Sequence, residues 1–416
     1  MSTKIAIVGT GIAGMTAAYL LSTEYEVSVF ETNDYIGGHT HTIPVETAHE
    51  IYAVDTGFIV FNDWTYPNFI KLLTRLGVAA QPSTMSFSVK CERTGLEYNG
   101  TSLNTLFAQR RNLIRPSFHR MLRDILRFNR EALTLLHGDN ANITLGSYLT
   151  EQQYSHEFVE QYVIPIGASI WSADPQQMSE VPARFFVQFF HNHGMLNVNE
   201  RPQWRVIVGG SQEYVKVLTH RYRDRIRLCC PVQRVTRHPT HVSIKSVGQE
   251  AEIFDHVVIA THSDQALAML TDPSAQERAI LGALPYQVNE TVLHTDDSLL
   301  PRRRRAWASW NYHRLYEQQS QVAITYNMNM LQSFHAPETF CVTLNRTANI
   351  NPSKIIQKMT YHHPVYTEAG VAAQKRHAEI NGVNRTYFCG AYWGYGFHED
   401  GVNSALAVCQ YFGKSL

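Results

Sequence analysis

The chain has no excess of either charge: its 416 residues carry 36 Lys and Arg against 36 Asp and Glu. The whole-molecule field therefore gives no reason to expect nucleic acid as a partner. Its six cysteines, Cys91, Cys229, Cys230, Cys341, Cys389 and Cys409, include no C-x-x-C pair. That absence argues against a zinc site or a disulfide framework, so buried, reduced thiols are expected. No apolar run is long enough to span a bilayer, and the early stretch IAIVGTGIAGMTAAYLL carries glycines that a secretion signal does not need. A cytoplasmic protein is expected, with peripheral contact at the inner face of a membrane left open. Repeats, linkers and low-complexity tracts are also missing. At 44% hydrophobic and 17% charged, the chain can bury one large core or two moderate ones.

What is present begins at once. Lys4 to Val8 reads as a strand, Gly9-Thr10-Gly11-Ile12-Ala13-Gly14 as a turn, and Met15 to Ser22 as a helix. Gly9 permits the tight turn, Gly11 lets a diphosphate approach the backbone, and Gly14 lets helix and strand pack closely. Val27 to Phe30 forms a second strand ending in Glu31, placed to accept hydrogen bonds from a ribose. The motif fits NAD and FAD equally.

Later stretches separate the two. Gly37-Gly38, VDTGF (Val54 to Phe58), VIVGGSQEYVKVL, FDHVVIATHSDQAL and TYFCGAYWGYGFHEDGVNSALAV resemble the flavin-containing amine oxidase superfamily over essentially the whole chain. GGHTHT, DTGFIVFNDWTYPNF, MSFSV, IWSADPQQM, NHGML, RPQWRVIVGGS, ASWNY and GYGFHEDG resemble more closely a bacterial group of FAD-dependent amine-oxidase-like proteins. That group is associated with cyclopropane-fatty-acid-synthase-like methyltransferases and with modification of unsaturated or methyl-branched acyl chains. The resemblance implies an α/β fold: a Rossmann-like FAD-binding domain, amine oxidase or glutathione reductase in type, with an inserted α+β substrate domain. The expected cofactor domain is discontinuous, residues 1–75, 205–268 and 378–416, and residues 76–204 and 269–377 form the insertion.

The same resemblance implies non-covalent FAD held by Gly9, Gly11, Ile12, Ala13, Gly14, Glu31, Thr32, Gly38, His39, Thr40, Asp55, Thr56, Gly57, Phe58, Val232, Ala260, Thr261, Gly390, Ala391, Asp400, Gly401 and Val402. Two positions depart from the superfamily. His39 stands where an arginine is frequent, and Ala391-Tyr392 where an acid is frequent. No metal is expected, because His39 with His41, and His191 with His193, lack further ligands. His39 is expected to contact the cofactor rather than transfer protons.

His398 is the first candidate for acid/base work, since it immediately precedes a helix expected to face the flavin. Glu399 is a second candidate. Asp400 has the alternative of capping that helix; Tyr392 is the third catalytic candidate, and with Trp393 and Tyr395 it is expected to wall a substrate channel. Ile114, Phe118, Met121, Ile125 and Phe128 recur at helical spacing opposite Arg120, Arg123, Arg127 and Arg130, with Asp124 the only acid nearby. Such a helix either lies on an anionic bilayer or packs its apolar face in the core. Arg302 to Arg305, beside Trp307 and Trp310, form a second basic run. The implied function is FAD-dependent dehydrogenation of a lipid acyl chain. Amine oxidation, and a non-catalytic flavin- and lipid-binding partner of a lipid methyltransferase, are the alternatives.

Overall fold

KIAIV at Lys4–Val8 and HVVI at His256–Ile259 lack polar alternation, the pattern of strands buried on both faces. In the computed structural model, which describes residues 2–48, 50–137, 143–316 and 320–416, they lie side by side in a five-stranded parallel sheet. Its order is Ile226–Arg227, Glu26–Phe30, Lys4–Val8, His256–Ile259, Thr386–Phe388. Ile5 pairs with Val27 on one side and with His256 on the other. The chain therefore leaves this sheet after Phe30 and returns to it three times, at Ile226, His256 and Thr386. Helix Ile12–Leu21 packs against it, and buried Ala13, Ala17 and Ala18 let helix His398–Gln410 lie close alongside.

Strands Val232–Arg237, Val242–Ser246 and Glu252–Phe254 form a small antiparallel sheet. The sequence predicts this addition from about Arg227 onward. The observed path is different: Ile226–Arg227 joins the parallel sheet, Cys229 turns with φ 50, and the new strand starts only at Val232. Pro231 has no N–H to continue a ladder.

The second large sheet has seven strands, in the order Ile355–Pro364, Tyr286–His294, Cys341–Leu344, Ile324–Asn327, Trp310–Arg314, Phe87–Cys91, Leu96–Asn99. One parallel contact, Trp310–Arg314 on Phe87–Cys91, joins strands from two distant parts of the chain. Val89, Tyr98, Phe118, Phe128, Phe158 and Phe186 share the core between this sheet and its helices.

Helix Pro116–Glu131 begins with its proline at the first position, which needs no N–H partner. Phe118, Met121 and Phe128 are buried as the spacing predicts, but Ile114 precedes the helix and is 86% exposed. Asp124 is not the only acid nearby. Glu157 pairs with Arg120, Glu131 lies 3.3 Å from Arg127, and the Arg127 guanidinium sits 3.9 Å above the Tyr154 ring. The helix packs its apolar face in the core and spends these two arginines on neighbouring elements.

Candidate functional site

Glycines bring three loops to one point at the carboxyl edge of the parallel sheet. A side chain at Gly9 would start 2.8 Å from the Ala260 carbonyl oxygen, one at Gly14 2.0 Å from the Gly9 oxygen, and one at Gly38 3.2 Å from Gly11 Cα. Above Gly11 nothing lies within 4 Å. Helix Ile12–Leu21 has no acidic residue in its first turn and no side-chain cap. The amides of Ile12, Ala13 and Gly14 therefore lack an intrahelical acceptor, an arrangement suited to a phosphate.

Glu31 closes one side. Its carboxylate accepts from Thr10 N at 2.9 Å, from the Thr10 hydroxyl, and from Asn33 N at 2.8 Å. A carboxylate has about four acceptor positions, so one stays free for a ribose hydroxyl. Thr32 is exposed, and Val232, Ala260 and Thr261 are half-buried.

A group of histidines closes the other side. The His39 ring lies 5.0 Å from Tyr361, 5.4 Å from His363 and 6.3 Å from His262, while His262 lies 5.8 Å from His362 and stacks on Tyr286. Burial, reinforced by neighbouring histidines, pulls His39 and His262 down to about 4 and His363 to about 3. Asn289 Nδ2 donates to His363 Nδ1 at 2.9 Å, which puts the neutral ring's hydrogen on Nε2. His39 Nε2 and His262 Nδ1 are buried and have no partner. His41 turns elsewhere, with Nδ1 3.1 Å from the Tyr361 hydroxyl and its ring stacked on Tyr35. His262, His362, His363, Tyr361 and Asn289 were missed in the sequence. The only local signal is the doublet in YHHP, on a strand whose other residues give no hint of the turn it faces.

Other expected cofactor residues serve the frame. Asp55 is fully buried, and its carboxylate accepts from Thr42 Oγ1 at 2.6 Å, Ser211 N at 2.9 Å, Ser211 Oγ at 2.7 Å and Gln332 Nε2 at 3.1 Å. Burial still pushes it up to about 6. Asp55, expected from the sequence at the cofactor, ties strand Ile51–Asp55 to segments around residues 211 and 332 through its carboxylate. Thr56 Oγ1 hydrogen-bonds the His41 carbonyl and the Tyr361 hydroxyl. A side chain at Gly57 would meet the His39 carbonyl at 2.2 Å, and Phe58 N donates to that same carbonyl.

At the carboxyl end of the chain, Gly390 N donates to Ser404 Oγ at 2.9 Å, and a side chain at Gly401 would strike Ile12 at 2.6 Å. Ala391 is half-buried and Val402 fully buried, so the last helix meets the first at the glycine turn. Asp400 caps its own helix by accepting from Phe397 N at 3.0 Å, and burial raises it to about 6.

The three residues expected to do chemistry separate here. His398 Nε2 lies 3.0 Å from both Thr40 Oγ1 and Tyr214 OH, and its ring stacks 3.4 Å from Phe58. Burial drives it well below the usual histidine range, so it is neutral and orders Thr40. Glu399 accepts from Asn68 N at 3.1 Å and Phe69 N at 2.8 Å, capping helix Pro67–Leu76, and burial raises its carboxyl. Its oxygens are committed to that cap. Tyr392 differs: its hydroxyl is buried without a partner.

Beyond Glu399 and Asp400 opens a cleft of about 400 Å³ lined by Trp64, Tyr66, His193, Tyr395 and Phe397. Behind it Phe185 packs 4.9 Å from Tyr366 and 4.7 Å from Tyr395, and Phe189 lies 4.9 Å from Trp171 and 5.4 Å from Phe397. The open helix start, the free Glu31 position and the two unpartnered histidine nitrogens together fit a dinucleotide. Among the described residues no group of three or more His, Cys, Asp or Glu is arranged to hold a metal ion.

The sequence profile of the family described as flavin containing amine oxidoreductase matches residues 12–302. A 1-hydroxycarotenoid 3,4-desaturase of Flavobacterium sp. (strain P99-3) is 43% identical over 74 residues, 18% of this chain and 14% of that protein. A putative flavin-containing monoamine oxidase, AofH, of Mycobacterium tuberculosis (strain CDC 1551 / Oshkosh) is 25% identical over 278 residues, 65% of this chain and 59% of that protein. The chain thus matches less than two thirds of the length of either relative. Among solved structures, cyclohexylamine oxidase from Brevibacterium oxydans IH-35A superimposes with a TM-score of 0.69 at 18% identity, covering 99% of this chain and 100% of that one. A CLA-producing fatty acid isomerase from P. acnes superimposes with a TM-score of 0.68 at 14% identity, covering 99% and 98%. At these identities the structural likeness establishes the fold.

Proposed function

The chain belongs to the flavin-containing amine oxidoreductase family and its cofactor is FAD; on that premise we propose that it dehydrogenates an unsaturated or methyl-branched fatty acyl chain carried by a phospholipid. The observation that carries this reading is the uncharged aromatic wall that Tyr395 and Phe397 give the cleft before helix His398–Gln410, backed by the buried rings of Trp171, Phe185, Phe189 and Tyr366. Such a wall holds an acyl chain and excludes water. Support comes also from two proteins whose names refer to hydrocarbon chains, the hydroxycarotenoid desaturase and the fatty acid isomerase.

Bound FAD would supply the two-electron acceptor, so that the hydride and the proton lost from adjacent carbons of the acyl chain would balance its reduction to FADH2. His398 keeps Thr40 in place through its 3.0 Å contact. Of the three side chains first considered for chemistry, Tyr392 has a buried hydroxyl with no hydrogen-bond partner, while His398 is engaged through Nε2 and Glu399 through both oxygens. Burial keeps its hydroxyl protonated, so in this reading it donates rather than abstracts. A lipid methyltransferase is the partner this reading implies, and peripheral attachment to the inner membrane face is the location.

A second reading has one observation in its favour. Glu399 and Asp400 lie on the cleft together with Trp64, Tyr66, Tyr395 and Phe397, a lining suited to an amine. Anaerobic titration of the yellow protein distinguishes the two. Bleaching of the flavin by methyl-branched or unsaturated phospholipids is expected, with simple amines inert. Bleaching by amines alone would replace the acyl reading with amine oxidation, and reduction by neither would favour the non-catalytic partner role.

A further inference from the structure

Strand Leu96–Asn99 is the outer strand of the seven-stranded sheet, and two short segments pack against it: helix Leu103–Leu106 and the turn Arg304–Ala306. They also touch one another. The turn Arg110–Ile114 follows directly, and Arg111 Nη2 reaches back 2.9 Å to the Gly95 carbonyl. Arg110, which bonds Asn104 on that helix, and the turn Arg304–Ala306, which packs on the same helix, are therefore close in space though far apart along the chain.

Arg110, Arg111, Arg302, Arg303, Arg304 and Arg305 are all exposed. Among the described residues none of the six forms an ion pair. Their fixed contacts are to uncharged groups. Arg110 donates to the Phe107 carbonyl at 3.0 Å and Asn104 Oδ1 at 2.6 Å, and Arg304 lies 5.2 Å above the Trp307 ring. Glu97 is the acid beneath the run. It is only 6% exposed, and its oxygens accept from the backbone N–H groups of Arg302 and Arg303 at 3.0 and 3.2 Å. Beside these charges stand three bare aliphatic side chains, Leu103 at 76%, Leu113 at 52% and Ile114 at 86% exposure.

We propose that Arg110, Arg111 and Arg302 to Arg305, with Leu103, Leu113 and Ile114, form a docking surface for an anionic phospholipid bilayer. The arginines match the charge of the headgroups, and the aliphatic side chains enter the acyl boundary below them. A nucleic acid would use the charge but gain nothing from exposed leucine and isoleucine. This surface differs from the helix singled out by its periodicity, whose Arg120 and Arg127 already pair with Glu157 and Glu131. It also stands apart from the acyl-chain reading, since docking requires no turnover.

Sedimentation with vesicles tests it on the full-length, FAD-loaded protein. Vesicles of phosphatidylcholine with phosphatidylglycerol should bind the protein, vesicles of phosphatidylcholine alone should not, and added salt should weaken binding. Each arginine near the surface contributes about five-fold. The variant Arg302→Gln, Arg303→Gln, Arg304→Gln, Arg305→Gln should therefore bind more than about a hundred-fold more weakly. Leu103→Ser with Ile114→Ser should weaken binding about ten-fold without changing its salt dependence. Arg223→Gln with Arg225→Gln, on exposed arginines of another segment, should bind like the parent. Thermal melting confirms that each variant is folded. Equal binding to neutral vesicles, no vesicle binding, or full binding by the quadruple variant would overturn the proposal. So would duplex DNA binding that the quadruple variant loses while vesicle binding is absent. None of these outcomes bears on flavin reduction by lipids or amines.

Discussion

His39 follows a glycine pair where an arginine would carry a permanent charge, and its ring is neutral because burial holds it at about 4. The ring faces the His362 carbonyl, which can only accept, so the neutral ring keeps its hydrogen there and Nε2 holds the lone pair. An anion at Nε2 then requires the imidazolium. A diphosphate would raise this pKa, so the gain in FAD affinity is complete below about 4 and is lost as the pH rises through the raised value. Fluorescence quenching of FAD by the apoprotein, from about pH 5 to about pH 8, should show weaker binding at the alkaline end. His39→Gln should flatten the profile, and a flat profile in the parent protein would refute the coupling. His262, His362, His363, His398 and Tyr361 are titratable groups around the ring.

The same depressed histidines bear on folding. His39, His193, His262 and His294 sit at about 4 and His363 at about 3, against an ordinary value of 6.5. The unfolded chain takes up these protons first, so stability present above 6.5 is lost as the pH falls from 6.5 toward about 4. Asp55 and Asp400, raised to about 6 from 3.8, act in the opposite direction between those values. The histidines outnumber them, and the Tm of the apoprotein should fall between about pH 7 and about pH 5. At Asp55 itself, alanine would leave several buried donors unpaired and destabilise the fold by about 3 kcal/mol or more, measurable by urea unfolding.

At the scale of elements, the turn between the first strand and first helix depends on one missing methyl group. Gly14→Ala would place a carbon 2.0 Å from the Gly9 carbonyl oxygen. The purified variant should have lost both bound flavin and thermal stability, as absorbance and melting would report. Strand Val232–Arg237 and helix Ala275–Leu281 are joined by Arg237 and Glu277, each side chain only 2% exposed. Arg237→Ala strands a buried carboxylate and should cost about 3–5 kcal/mol in denaturant unfolding. The glycine turn was legible because strand, turn and helix are contiguous and each glycine answers a local steric demand. The Arg237–Glu277 pair was not, since both residue types are ordinary surface residues until folding encloses them. Helix Pro116–Glu131 shows the intermediate case: periodicity located its buried face, yet not the Glu157 that takes up Arg120.

For the whole molecule, the candidate cofactor site lies where the first and last helices and the intervening loops converge, so its occupancy should report on assembly of the fold. FAD at a hundred-fold excess over its dissociation constant should stabilise the protein by about 2.7 kcal/mol. Stripping the flavin should lower the Tm by several degrees, and readdition should restore it. No helix among the described residues is long and apolar enough to cross a membrane. Attachment through the arginine patch would be reversible and sensitive to salt.

The sequence by itself determined the dinucleotide turn, the flavin family and the mixed α/β architecture, because these rest on contiguous motifs whose residue types answer local demands. Only the tertiary structure decided which polar side chains remain free. It committed Glu399 and Asp55 to backbone donors, closed His398 between Thr40 and Tyr214, and brought His39, His262, His362 and His363 around one turn. It also set the turn Arg304–Ala306 against helix Leu103–Leu106, with no ion pair to the guanidinium groups of Arg302 to Arg305 among the described residues. A side chain's availability depends on partners that may lie hundreds of residues away, and no local pattern encodes that distance.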